Sequence, residues 1–252
     1  MPTFVNLVAT RCKSGDHAAL LHWYHDHVHI LMQFDGLHRA TLYRRADHPG
    51  SSNTAAAAAP EYICLYDFAS QADFMAFETS DAREQARQIL LAGWGKDGIE
   101  ITMRKQFWRL GTRLTDNAVA ARHGLWQIQS LQLGAGPAAG VARWLNDRLH
   151  RALDTFAQHH SGHVGHVSHF GHVAWHRAVD ATDAGGDALV VAQTDISRAS
   201  APSASPSILP PGWWLGDADE ADDAGHGPWG HSPATAAIAW QAGYRRLCVW
   251  GR

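Results

Sequence analysis

The first 110 residues change their apolar period four times, and that succession restricts the fold more than any other feature of the chain. Phe4–Thr10 reads as a short apolar strand, and His17–Phe34 places apolar residues at helical spacing, with Asp16 able to cap it and Gly36 able to end it. Strand-like Arg39–Arg45 and Glu61–Phe68 follow on either side of the loop GSSNTAAAAAP. Ser70 with Asp73 three residues later opens a second helical region, broken at Ser80 and running to about Ala92. Gly93-Trp94-Gly95 interrupts, and Ile99–Leu110 is a long strand. The order is β-α-β-β-α-β, a split βαβ unit.

The second half repeats that order less cleanly. LWQIQSLQL (125–133) is a strand, Ala138–His159 a helix, and His163–Val179 and Ala188–Ile196 are strands. A helical stretch near Pro233–Gln241 is predicted before a last strand, Arg245–Trp250. Residues 197–230 are rich in Ser, Pro, Gly and Asp and read as an insertion without regular structure. The motif W-x-x-D-x-[aliphatic]-H occurs as Trp23, Asp26, Val28, His29 and again as Trp144, Asp147, Leu149, His150, in the corresponding helix of each half. The expectation is α+β: two tandem ferredoxin-like (βαββαβ) domains, residues 1–111 and 123–252, forming an α+β barrel.

Bulk properties remove several function classes. With 46% hydrophobic and 18% charged residues, the chain is of ordinary globular composition. A net charge of −3 gives no electrostatic footprint for nucleic acid, and no apolar run is long enough for a membrane span. Basic residues are 18 Arg against 3 Lys, which with abundant Ala and Gly suggests a GC-rich bacterial coding bias. Cys12, Cys64 and Cys248 are far apart in apolar contexts, and no basic-then-apolar leader is visible, so a cytoplasmic protein with reduced thiols is expected.

Seven of the 18 histidines fall in HHSGHVGHVSHFGHVAWH (159–176). Gly162, Gly165 and Gly171 argue against a helix there, and in a strand a period of three scatters the rings over both faces. Same-face His172 and His176 would lie about 13 Å apart at ~3.3 Å per residue, too far to share an ion. Solvent-facing or packed strand histidines are the expectation, with a metal-binding loop at His159–His166 as the competitor. His25 and His29, at i and i+4 on the first helix, are the remaining metal candidates. They lack the Glu of an H-E-x-x-H site and read equally as part of a solvated face with His22 and Asp26.

On that helix Leu20, Trp23, His27, Ile30, Leu31 and Phe34 share one face, which aims His27 at the sheet. A buried imidazole is held neutral and suits a general base, although an apolar-face histidine is also a common core residue. Tyr62, Cys64, Tyr66 and Phe68 share a face of the third strand, and Phe107 and Trp108 lie on opposite sides of the last.

The run WYHDHVHILMQFDGLHRATLY with PEYICLYDF resembles the EthD-like branch of the dimeric α+β barrel superfamily, through Trp23, His27 and Asp35-Gly36. That resemblance implies a small-molecule enzyme without organic cofactor, of oxygenase, cyclase or isomerase type, acting on an aromatic or polyketide-like compound. His27 would abstract a proton and Tyr24 would assist, with Trp23, Tyr66 and Trp108 as walls. Arg148, where the second half departs from His27, would bind an anionic group or pair with a buried acid. No nucleic acid or membrane partner is implied, and a homodimer is left open. The competing expectation is a non-catalytic binding or stress-response module, and the two differ in cavity size: about 300 Å³ or more at His27 for an enzyme.

Overall fold

The computed structural model describes residues 3–46, 58–114, 125–133, 170–179, 186–194 and 236–251. It divides into two compact units: Met1–Asp47, Ala59–Arg109 and Tyr244–Arg252 form the first, His48–Ala58 and Leu110–Gly243 the second.

In the first unit β1 (Phe4–Cys12), α1 (His17–Leu31), β2 (Leu37–Arg45), β3 (Tyr62–Phe68), α2 (Gln71–Glu78), α3 (Asp81–Leu91), α4 (Gly93–Gly98) and the part of β4 (Ile99–Leu114) up to Arg109 follow in the expected order. β3 lies between β1 and β2, β4 flanks β1, and every pairing is antiparallel. The Asp16 carboxylate caps α1 by accepting from the Ala19 amide at 2.9 Å. Ser70 caps α2 through the Asp73 amide and donates to the Asp73 carboxylate, and Ser80 caps α3 after the break that its position predicts.

Three details differ from the sequence expectation. Gly36 does not terminate α1 as a left-handed residue, since only Gly15 and Gly93 have positive φ among the described glycines. It is instead a point of close approach, where a Cβ would stand 2.6 Å from the Phe34 ring and 2.8 Å from Asp73 Cβ. Gly93-Trp94-Gly95, read as an interruption, falls in the short α4, which Gly93 opens at φ +55°. The helix expected near Pro233–Gln241 is absent from its described part, because β8 runs unbroken from Ala236 to Gly251. Trp240, Ala242 and Tyr244 are buried at a strand's period of two, so pairing and burial override the helical preference of alanine. Residues Tyr244–Gly251 of β8 pair with β2, and the Tyr244 hydroxyl donates to the Pro60 carbonyl at 2.8 Å.

In the second unit β5 (Leu125–Leu133), β6 (Phe170–Ala178) and β7 (Gly186–Thr194) pair antiparallel in the order β5-β7-β6, the same order as β1-β3-β2. The histidine-rich stretch enters the described residues as β6, where His176 is 1% exposed with its Nδ1 3.3 Å from the Leu189 carbonyl. Gly111 lies where a Cβ would stand 2.3 Å from the Trp175 ring. The expected helix at Ala138–His159, the 197–230 insertion, Arg148 and the His159–His166 loop lie outside the described residues.

Candidate active site

The sheet of the first unit presents Asn6, Val8 and Thr10 of β1 beside Tyr66, Cys64 and Tyr62 of β3, and α1, α2 and α3 pack against this face. The register of β1 against β4 shifts between Ala9 and Thr10, so that Thr10 faces Ile101 while Ala9 faces Met103. Thr102 is the extra residue of this β-bulge. Ile101 and Arg104, which strict alternation would send to opposite faces, both reach the helix side.

Between α1, α3 and this face lies a cavity of about 50 Å³, lined by apolar Val8, Leu31, Ile99 and Ile101 and by polar Asn6, Thr10, His27, Glu78, Arg83 and Arg104. Trp23, Tyr24 and Tyr66 line it as well, so four of the residues singled out in the sequence meet here. The volume is far below the ~300 Å³ expected of a site enclosing a whole ligand.

The buried stripe of α1 is Leu20, Tyr24, Val28 and Leu31, rotated from the expected face. Tyr24, outside the face that the sequence suggests, is therefore central and 2% exposed, while His27 stands at the flank beside α3 and is only half-buried. At that flank α1 packs on α3, whose small Ala86 is fully buried. His27 stacks on Trp23 at 4.3 Å between ring centroids, and its buried Nδ1 has no hydrogen-bond partner. Burial chiefly, then the Arg83 and Arg104 cations, push the His27 pKa down to about 4, against a backbone hydrogen bond at Ala86. The imidazole is neutral across the physiological range.

The Tyr24 hydroxyl is 2.8 Å from the Thr10 hydroxyl, and burial raises its pKa far beyond neutral. It is a hydrogen-bonding phenol, never a phenolate at working pH. Burial likewise raises Tyr66 and, to about 12, Cys64, so neither supplies an anion. Arg83 donates from Nε to Glu78 at 3.3 Å, while Arg104 has no ion pair among the described residues.

Trp108 does not join the cavity. Its ring meets Phe4 edge-on at 5.2 Å, at the other end of the helix–sheet layer. His25 is 68% exposed and 3.5 Å from Asp26, and His29 is exposed. Among the described residues no group of three or more His, Cys, Asp or Glu side chains is placed to hold a metal. Sequence reasoning missed Arg83, Arg104, Thr10 and Asn6. The single signal for Arg104 is its place in an otherwise strand-like run, and the bulge that aims it leaves no mark in the residue pattern.

No family model and no curated protein matches the sequence. Among solved structures, an anthrone oxidase-like protein superposes with a TM-score of 0.52 over 100% of this chain and 94% of that one, at 10% identity. A Fusobacterium nucleatum protein provisionally named a monooxygenase gives 0.53 over 100% and 95%, at 8% identity. At such identities the likeness is one of fold. The chain is mixed α+β with a large antiparallel sheet, in the fold shared by ferredoxin-like α+β barrel proteins.

Proposed function

We propose that the chain is a small-molecule enzyme in which His27 abstracts a proton from an activated carbon, phenol or enol of an aromatic or polyketide-like compound. The observation that carries this reading is the His27 Nδ1, buried, without a partner, and set in a cavity wall. A histidine retained for packing would be expected to satisfy that atom, because an unpaired buried polar group costs about 1–3 kcal/mol. Its low pKa keeps the base form available, and negative charge developing on a bound substrate offsets the arginine fields and raises its basicity when it is needed. Tyr24 and Tyr66 contribute hydroxyl groups, and Trp23 a flat wall.

Fold neighbours named for anthrone oxidase-like and monooxygenase proteins agree with this reading, since proton loss from an activated methylene is a natural opening for such chemistry. The reading calls on no organic cofactor, because the chain's own imidazole takes the proton. The repeated β1-β3-β2 and β5-β7-β6 orders support a tandem duplication of EthD-like halves, residues 1–111 and 123–252. The small cavity means that only the reacting edge of a ring enters, with the rest at the mouth.

That same small volume favours a second reading, a binding module whose pocket is largely filled by side chains. Turnover separates the two. Anthrones and other phenolic and polyketide-type compounds are screened for deprotonation-dependent conversion, and His27→Gln is compared with the parent chain. Loss of about 10²–10⁴-fold in kcat is expected for a base. Unchanged turnover in a folded His27→Gln chain removes the assignment, and no conversion of any compound favours the binding module.

A further inference from the structure

We propose that the cavity takes its ligand as an anion, a compact carboxylic acid or acidic phenol whose planar oxyanion is held by Arg104, with Arg83 in support, while the reacting atom lies at His27. This rests on the His27 site described above and names the class of molecule it receives.

The charges around the cavity do not balance. Its lining contains two guanidinium groups and one carboxylate, and that carboxylate, Glu78, is already engaged by Arg83. Arg104 has no ion pair among the described residues, although it stands in the wall of the cavity. The backbone departs from regular pairing at this point. The bulge at Thr102 brings Arg104 to the helix side together with Ile101, and bulges of this kind re-aim side chains at the expense of local ladder bonds.

The ligand class follows from the donor geometry. A guanidinium offers a rigid planar fork that matches two oxygens of a carboxylate, or one oxyanion with a neighbouring oxygen. The floor of Val8, Leu31, Ile99 and Ile101 requires the remainder of the inserted edge to be apolar. A cavity of about 50 Å³ then places the oxyanion close to the group presented to His27. Both arginines act on His27, so a bound anion cancels part of the field that disfavours its protonation. The base thus strengthens when its substrate arrives.

The test is calorimetric titration of the full chain at low salt with salicylate and with salicylamide, its neutral counterpart. Salicylate is expected to bind, with the amide weaker by about tenfold or more, as for loss of a charge-assisted bond. Arg104→Gln should lower salicylate affinity by about tenfold and Arg83→Gln by less, because Arg83 is shared with Glu78. Glu78→Gln should raise it severalfold by releasing Arg83. Thermal melts of each variant confirm folding, and Arg104 is exposed enough to be replaced without opening the core.

Equal binding of the amide, an Arg104→Gln chain that binds salicylate like the parent, or no binding of either compound to about 10 mM overturns the proposal. His27→Gln distinguishes it from the reading beneath it, since salicylate should still bind that variant within about threefold. If Arg104→Gln leaves affinity untouched while His27→Gln abolishes turnover, the anion site falls and the base stands. The reverse pattern removes the base and leaves an anion-binding cavity.

Discussion

The two ends of the helix–sheet layer in the first unit are built from the same elements and do opposite things. At one end Phe4 stacks on Phe74 at 5.1 Å, Phe68 meets Phe74 and Phe77 at 5.4 and 5.2 Å, and Phe34 meets Phe77 at 5.5 Å. These rings close the layer without polar atoms, in the offset and edge-on arrangements that aromatic quadrupoles favour. At the other end α1 and α3 approach the sheet around Ala86, and the space holds an imidazole, the hydroxyls of Thr10, Tyr24 and Tyr66, a carboxylate and two guanidinium groups. The polar end keeps two buried nitrogens without a hydrogen-bond partner, Trp23 Nε1 and His27 Nδ1. Phe77 belongs to both, packed among the rings and lining the cavity.

The largest effect should come from the aromatic end. Phe68 is fully buried between two rings, so Phe68→Ala is expected to lower unfolding free energy by about 3–5 kcal/mol in denaturant titration. The NMR titration of the His27 ring should remain near pH 4 in the surviving folded state. A large upward move of that pKa would mean that the two ends are not separable.

Next in size is an acid effect confined to the polar end. His27 is held neutral in the folded chain down to about pH 4, whereas the unfolded chain takes up a proton below about 6.5. The unfolded state therefore binds more protons across this window, and stability falls as pH drops from 6.5 to 4, then levels. The loss amounts to about 3 kcal/mol at most. It should vanish in His27→Gln, measured as the difference between the two chains' denaturation midpoints at pH 7 and pH 4.5. An equal acid response in both chains would contradict the enclosed state of the imidazole.

A smaller effect comes from α4, whose backbone crosses Trp23. A Cβ on Gly95 would lie 2.7 Å from Trp23 Nε1 and 3.0 Å from the carbonyls of Ile89 and Leu90. Gly95→Ala should cost about 1–3 kcal/mol and push the indole against His27. Its signature is a shifted His27 resonance with the aromatic end unchanged. Gly15, with nothing within 4 Å of its would-be Cβ, lacks such a packing signature, and its positive φ makes any loss purely a backbone one.

These contrasts also mark what was legible in the residues. The element order, the Asp16 cap, the break at Ser80 and the shared face of Tyr62, Cys64, Tyr66 and Phe68 follow from local periodicity and capping chemistry. The rotation of α1 toward Tyr24 and Val28 was not legible, because it depends on how α3 packs against it. Arg83 and Arg104 were not singled out, because only the bulge at Thr102 and the break before α3 set them in the same wall. The alanine-rich start of β8 read as helix because propensity is local, while strand pairing is decided by distant residues.

The smallest expected effect separates two roles of Tyr24. Its hydroxyl meets that of Thr10 at 2.8 Å, and both side chains are 2% exposed. Tyr24→Phe leaves the Thr10 hydroxyl without this partner and should cost about 1 kcal/mol, whereas Tyr24→Phe with Thr10→Val removes both halves of the bond and should recover most of it. Turnover reads differently. If the hydroxyl serves only to hold α1 on β1, the double variant regains both stability and kcat. If it also steadies the substrate, stability returns while kcat stays low, because phenylalanine keeps the packing of Tyr24 but cannot donate a proton to a bound oxygen.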